Sequence, residues 1–236
     1  QTIVNAILCT ALYVCSLKWL VKDIKEDLFR NIFLVLGTII AAFPYGQVNA
    51  VLGFQSQFYF ATIFSYLYFW LWIRATKNIR WVVPACLAII PVILSMGIGP
   101  VTALSVCVWR GLILLSSIGD EKRRFKNDFI LLSFSILPLA LAVFAHAPSN
   151  QPNYPTSPEM VFRAVKFVFG WPLSVVGIFS VLVWLPITYI LCCALISRQY
   201  LLDKKNISSP TVLLGIWSVG LLMGTVVMRG GLDAPL

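Results

Sequence analysis

The side chains best suited to binding chemistry in this sequence are amides and aromatic rings grouped between Phe43 and Phe60. Asn49, Gln55 and Gln57 bring hydrogen-bonding amides, and Tyr59 lies among the aromatic rings that follow them. Amides need partners wherever water is excluded, so we expect them to face the interior of the fold or a wet cavity. Amides beside aromatic faces suit hydrogen bonding to, and stacking on, a sugar or a lipid head group. An aromatic belt at a membrane surface, with its amides hydrogen-bonded to head groups, would give the same pattern.

Arg110 is a second candidate, because it lies inside an apolar run shortly before the charged cluster that begins at Asp120. An ionisable residue within a hydrophobic segment is a functional hypothesis by default. Its planar guanidinium would suit the phosphate of a lipid carrier. Alternatively, its long side chain reaches back to the membrane surface, or the helix leaves the membrane near Trp109.

Arg229 opens the segment Arg-Gly-Gly-Leu-Asp near the end of the chain, and it could contact a phosphate or anchor the last helix at the membrane surface. The carboxylates expected on the same side are Glu159 and Asp233, so a carboxylate-dependent reaction there would have only these two to use. We interpret His146 as a polar cap at a helix end rather than a catalytic base. The sequence therefore names no catalytic residue.

Several familiar sites are absent from the sequence. There is no Walker A motif, no GxSxG, no HExxH and no Cys or His spacing typical of a metal site, so we predict no metal and no cofactor. The middles of the later apolar segments contain no Asp or Glu, which argues against a proton-coupled pump.

The composition predicts an all-α membrane protein. Hydrophobic residues make up 59% of the 236 residues and charged residues only 11%, whereas soluble domains carry about 25% charged residues. We expect one transmembrane helical domain over residues 1–236, with about eight helices, each near the roughly 20 residues needed to cross hydrocarbon, and short connectors. The predicted segments are Ile3–Leu20, Leu28–Phe43, Val51–Ile73, Trp81–Met96, Pro100–Ile118, Phe129–Ala145, Phe167–Ser197 and Ser209–Met228.

The placement of positive charge predicts the orientation. Fourteen of the 18 Lys and Arg residues fall in the connectors after the first, third, fifth and seventh segments or at the segment ends beside them, whereas Arg163, Lys166 and Arg229 fall on the other side. The positive-inside rule makes the first set cytoplasmic and both ends of this chain non-cytoplasmic. The same distribution accounts for the net charge of +9, so we expect membrane lipid as a partner and no nucleic acid.

Two adjoining motifs resemble a known group of proteins. The stretch Phe43-Pro-Tyr-Gly-Gln-Val-Asn49, followed by Gly53-Phe-Gln-Ser-Gln-Phe-Tyr-Phe60, resembles a segment of large bacterial inner-membrane proteins that are themselves similar to the GT-C glycosyltransferases. The Gly-rich turn Met96-Gly-Ile-Gly-Pro100 and the terminal Arg229-Gly-Gly-Leu-Asp-Ala-Pro235 are similar to features of the same group. The resemblance covers a minor part of the chain.

The resemblance implies a multi-span enzyme of the bacterial inner membrane that uses a polyprenyl-phosphate sugar at the outer face. GT-C enzymes place a catalytic Asp in their first exterior loop, but the loop from Pro44 to Ala50 contains no acid. We therefore transfer no catalytic residue, and we expect the chain to be a piece of a longer protein. The candidate substrate contacts are Asn49, Gln55, Gln57, Tyr59, Arg110 and Arg229.

Two other functions stay open at this point. The chain could be a non-enzymatic transporter or flippase for an amphipathic substrate, with the third segment lining its path. It could also be a structural membrane subunit without a ligand.

Overall fold

A computed structural model describes residues 56–95, 98–116, 122–145, 157–163 and 210–229, together with scattered positions between 7 and 35. Every regular element in these ranges is helical, which confirms the all-α prediction for this part of the chain. A 3-10 turn, Ile79–Trp81, follows the first helix, and residues 158–163 are also helical. The α-helices are α1 Ser56–Lys77, α2 Val82–Leu87, α3 Ile89–Ser95, α4 Gly99–Ser116, α5 Lys122–Ala145 and α6 Pro210–Arg229.

The predicted third, fifth, sixth and eighth segments each correspond to one helix, namely α1, α4, α5 and α6. The largest shift is in α5, which begins at Lys122, inside the basic run, rather than at Phe129. Most residues of the first two segments lie outside the described residues, and their scattered described positions are helical; the seventh segment lies wholly outside.

The predicted fourth segment is not one helix, because it is divided at Ala88 into α2 and α3. Pro91 has no N–H group to donate to the carbonyl of Leu87, four residues earlier, and this missing hydrogen bond weakens the helix at this turn. Ala88 instead closes α2 by donating its N–H to the carbonyl of Pro84 at 3.0 Å. The hydrogen bond missing at Pro91 therefore accounts for the break between α2 and α3.

One helix in the described part of the chain is long and apolar enough to cross a membrane by length and composition, the 21-residue stretch Phe125–Ala145 of α5. Ile79–Ser95, Gly99–Leu115 and Val212–Leu221 are apolar but shorter. Large apolar side chains are well exposed on the outer faces, with Leu94 80% and Phe144 88% accessible. These features are compatible with membrane association, and the count of eight spans stays a prediction.

In the described core, α4 packs most extensively against α5 and α6, α1 packs against α2 and α3, and side chains of α1 and α4 meet between these layers. Gly99 allows the close turn from α3 into α4, because a Cβ at this position would lie 2.9 Å from Cγ1 of Ile93. Pro100 then occupies the first turn of α4, where a missing N–H costs no helical hydrogen bond. The predicted hairpin between the fourth and fifth segments is therefore present.

Candidate functional site

The structure describes four of the six predicted substrate contacts. Gln57 lies in the first turn of α1, Tyr59 follows it and is half-buried, and Arg229 is the last residue of α6. Arg110 lies in the second half of α4 and is buried. The other two predicted contacts, Asn49 and Gln55, lie outside the described residues.

The contacts between α1 and α4 show that these two helices run parallel. Ser65 contacts Thr102, and about two turns further along both helices Trp72 contacts Arg110. Since a helix rises about 1.5 Å per residue, the level of Trp72 and Arg110 is about 20 Å along the axis from Tyr59. Arg110 and the amide-rich start of α1 therefore belong to two different depths of the bundle.

The last helix runs in the opposite direction. Trp217 of α6 packs edge-on against Phe69 at 5.6 Å between ring centroids. Further along α6, Gly224 lies opposite Val101 at the beginning of α4. Arg229 consequently comes at the end of the bundle where α1 and α4 begin. We call the group formed by Gln57, Tyr59 and Arg229 at this end the mouth group.

Arg110 is enclosed by aromatic rings and is only 1% exposed. Its Nη2 donates a hydrogen bond to the carbonyl oxygen of Trp72 at 3.0 Å. Its Cζ lies 4.6 Å from the ring centroid of Trp109 and 5.7 Å from that of Trp72. The electron-rich faces of the two indoles attract the guanidinium and offset part of the cost of burying its charge.

Several hydrogen-bond donors beside this arginine have no partner in the described part of the chain. They are Nε and Nη1 of Arg110, Nε1 of Trp72 and the hydroxyl of Tyr68. Tyr68 and Trp72 lie one turn apart on α1, with their rings 6.3 Å apart and edge-to-face. An unsatisfied buried donor costs about 1–3 kcal/mol, so native structures rarely group several of them. We call Tyr68, Trp72, Trp109 and Arg110 the Arg110 cluster.

Asp128, near the beginning of α5, is the carboxylate whose charge acts on Arg110. No ion pair joins the two side chains within the described ranges. The guanidinium is therefore influenced by a negative charge at a distance, while its own N–H groups lack an anionic acceptor.

A fully paired polar seam lies one to two turns away from the Arg110 cluster. The indole N–H of Trp217 donates to Oγ1 of Thr102 at 3.0 Å, and Thr102 Oγ1 lies 3.2 Å from Oγ of Ser65. The Ser65 hydroxyl donates to the carbonyl of Ala61 at 2.8 Å, so Thr102 must be the donor toward Ser65. These bonds join α6, α4 and α1, and they hold the two helices that carry the Arg110 cluster.

Pro138 creates the contact that fastens α5 to its neighbours. Its ring removes the N–H that would have bonded the carbonyl of Phe134, four residues earlier. The thiol of Cys86 on α2 lies 3.8 Å from that carbonyl, and the thiol of Cys107 on α4 donates to the carbonyl of Ser135 at 3.1 Å. Two weak donors from different helices thus compensate for the disturbed turn and hold α5, with Asp128, against α4.

Sequence reasoning singles out Arg110 but not Tyr68 or Trp72. Their spacing of four residues places both on one face of a helix, and this signal was present in the sequence. Nothing local connected that face with Arg110, which is 38 residues from Trp72 along the chain.

The described residues contain no group of three His, Cys, Asp or Glu side chains that could hold a metal ion. Comparison with family models, with curated proteins and with solved structures finds no match to this chain.

Proposed function

We propose that this chain is the membrane domain of a GT-C-like glycosyltransferase that uses a lipid-linked sugar at the outer face of the bacterial inner membrane. The observation that carries the proposal is the mouth group, in which the start of α1 and the end of α6 come to the same end of the bundle. The residue types at these helix ends, Gln, Tyr and Arg, suit sugar hydroxyls, the face of a sugar ring and a phosphate, respectively.

The surface of the bundle supports placing this function in lipid. The exposed side chains of α5 include Phe129, Leu137 and Phe144, which are 54%, 63% and 88% accessible. Contiguous apolar surface on this scale marks a contact with lipid or with another protein. The orientation, with the mouth group outside, follows from the positive-inside prediction.

The test is a transfer assay in proteoliposomes with a radiolabelled polyprenyl-phosphate sugar and a lipid or peptide acceptor. We expect Gln57→Ala to lower the transfer rate on the order of tenfold, because a lost hydrogen bond to a sugar hydroxyl weakens binding by about 1 kcal/mol or more. Gln55→Ala should act in the same direction.

The matched control is Ser133→Ala, which removes an exposed hydroxyl bonded only to the carbonyl of Phe129 within α5. It should leave the rate and the amount of protein in the membrane unchanged. Unchanged transfer in both glutamine variants would contradict a substrate contact there. The start of α1 would then be interpreted as an aromatic belt at the membrane surface, with its amides hydrogen-bonded to lipid head groups.

A second function, a carrier for an amphipathic anion, is favoured by the depth of Arg110. Arg110 lies about 17 Å from the beginning of α4 and about 9 Å from its end, which is far from the mouth group. A carrier must bind its substrate part-way across the bundle, whereas an outer-face enzyme needs its contacts at the mouth. Movement of a fluorescent lipid phosphate across the bilayer without transfer would favour the carrier. Transfer without movement would favour the enzyme. The absence of both transfer and movement would favour a structural subunit.

A further inference from the structure

We propose that the Arg110 cluster is a binding site for a phosphate group, separate from the mouth group and on a different level of the bundle. The juxtaposition that carries this inference is a guanidinium on α4 in contact with an indole on α1, which in turn contacts a phenol one turn away, all buried and all with unused donors. It goes beyond the proposed function, since it needs neither sugar transfer nor the mouth group.

The donor set determines the chemical class of the ligand. Arginine and tryptophan side chains can only donate hydrogen bonds, and the tyrosine hydroxyl can donate as well. The unused groups of Tyr68, Trp72 and Arg110 therefore require a ligand rich in acceptors. Because these donors come from two helices rather than from one guanidinium plane, they suit an oxyanion whose oxygens point in several directions. A tetrahedral phosphate has this shape, whereas a carboxylate presents two oxygens in one plane.

The charge of the site points to the same class. Buried charges in proteins are normally paired, yet Arg110 forms no ion pair in the part of the chain that the structure describes. The rings of Trp72 and Trp109 stabilise the cation from their faces but leave its N–H edges without acceptors. An anion bound at those edges would supply both the missing charge and the missing acceptors.

A phosphate could come to this site as the head group of a lipid or as free phosphate. Both sources would use the same donors, so they are separated by experiment.

The experiment measures binding by titration calorimetry to the purified full chain in maltoside micelles, with dodecyl phosphate, inorganic phosphate and dodecanoate as probes. We expect saturable binding of dodecyl phosphate. Arg110→Met should weaken it on the order of a hundredfold, because charge-assisted bonds are the strong ones. Tyr68→Phe, which removes only the hydroxyl, should weaken it about tenfold.

Two further variants keep the test decisive if Arg110→Met disturbs folding. Arg74→Met removes an exposed arginine that also stacks on a tryptophan, and it should leave binding unchanged. Asp128→Asn removes the negative charge that acts on Arg110, and it should tighten binding several-fold. A gain in affinity cannot arise from misfolding.

Each outcome has a definite meaning. Binding of dodecyl phosphate far tighter than inorganic phosphate supports a lipid head group, and equal binding of both supports free phosphate. Equal or tighter binding of dodecanoate overturns the phosphate assignment. Wild-type affinity in Arg110→Met and Tyr68→Phe, or no binding of any probe, overturns the site and leaves Arg110 as a packing residue satisfied by internal water. Sugar transfer can succeed or fail in the earlier assay independently of this result.

Discussion

Two arginine–tryptophan pairs lie near the same end of α1, and they differ chiefly in burial. Arg74 stacks on Trp70 with its Cζ 5.0 Å from the ring centroid, and this pair lies on the exposed face, with Trp70 37% accessible. Arg110 makes the same kind of contact with Trp72 and Trp109, but it is only 1% exposed.

The same cation–π contact therefore comes with different desolvation costs: the spare N–H groups of Arg74 stay solvated, whereas those of Arg110 do not. Arg74 lies in the last turn of α1, where a cation interacts favourably with the helix dipole and its spare N–H groups can reach solvent or head groups. Arg110 is surrounded by indole rings and one carbonyl oxygen instead of solvent, and these leave its Nε and Nη1 without acceptors. The surface pair therefore needs no ligand, whereas a ligand with hydrogen-bond acceptors would stabilise the buried pair.

The largest expected effect is on the stability of the ligand-free protein, where replacing the two arginines should have opposite results. Arg110→Met should raise the free energy of unfolding by about 2 kcal/mol, because an apolar side chain of similar length replaces an unpaired buried charge. Arg74→Met should lower it by less than about 1 kcal/mol, the contribution of an exposed cation–π contact. Thermal unfolding in micelles measures both variants, and a marked loss of stability in Arg110→Met would break the comparison.

A smaller effect should come from the polar seam, which holds the helices of the buried pair together. Thr102→Val removes the acceptor of the Trp217 N–H and the hydroxyl that bonds Ser65, and it should destabilise the fold by about 1–2 kcal/mol. The Arg110 cluster should loosen as a result, whereas the Arg74 pair, which lies within α1 alone, should not change. Double-mutant cycles that combine Thr102→Val with Arg110→Met or with Arg74→Met would separate the two responses, with coupling expected for Arg110 and additivity for Arg74.

The smallest expected effect concerns two glycines in the same helical surroundings. A Cβ at Gly111, next to Arg110, meets nothing within 4 Å, so Gly111→Ala should stabilise the protein by about 0.5–1 kcal/mol through helix propensity. A Cβ at Gly220 would lie 3.0 Å from Cγ1 of Val101, so Gly220→Ala should gain less or lose stability. Equal changes in the two melting temperatures would show that α6 does not press against α4 as described.

Part of this architecture could be read from local sequence. Long apolar runs predicted α1, α4, α5 and α6 because each helix satisfies its own backbone hydrogen bonds within the segment. The break at Ala88 differs from the prediction of one helix, because that prediction rests on apolar composition while the N–H missing at Pro91 weakens the helix there. The helix α5 begins earlier than predicted because Lys and Arg, although charged, are good helix formers.

The candidate site was predicted less completely than the helices. Arg110 stood out because a charge inside an apolar run is costly wherever it lies. Three alternatives were open for Arg110, namely a phosphate contact, a side chain reaching the membrane surface, and a helix that leaves the membrane near Trp109; its burial at 1% argues for the interior. Its surroundings could not be predicted, because Tyr68 and Trp72 reach it from another helix.

The sequence by itself determined that the described part of this chain is helical and apolar, since hydrophobic composition and backbone hydrogen bonding act within each segment. It also determined that the chain carries a cation in an apolar run. Only the tertiary structure decided which donors surround that cation and which remain unpaired. The pairing of Arg110 with Trp72 and of Thr102 with Trp217 joins residues 38 and 115 positions apart, and such contacts depend on how whole helices pack.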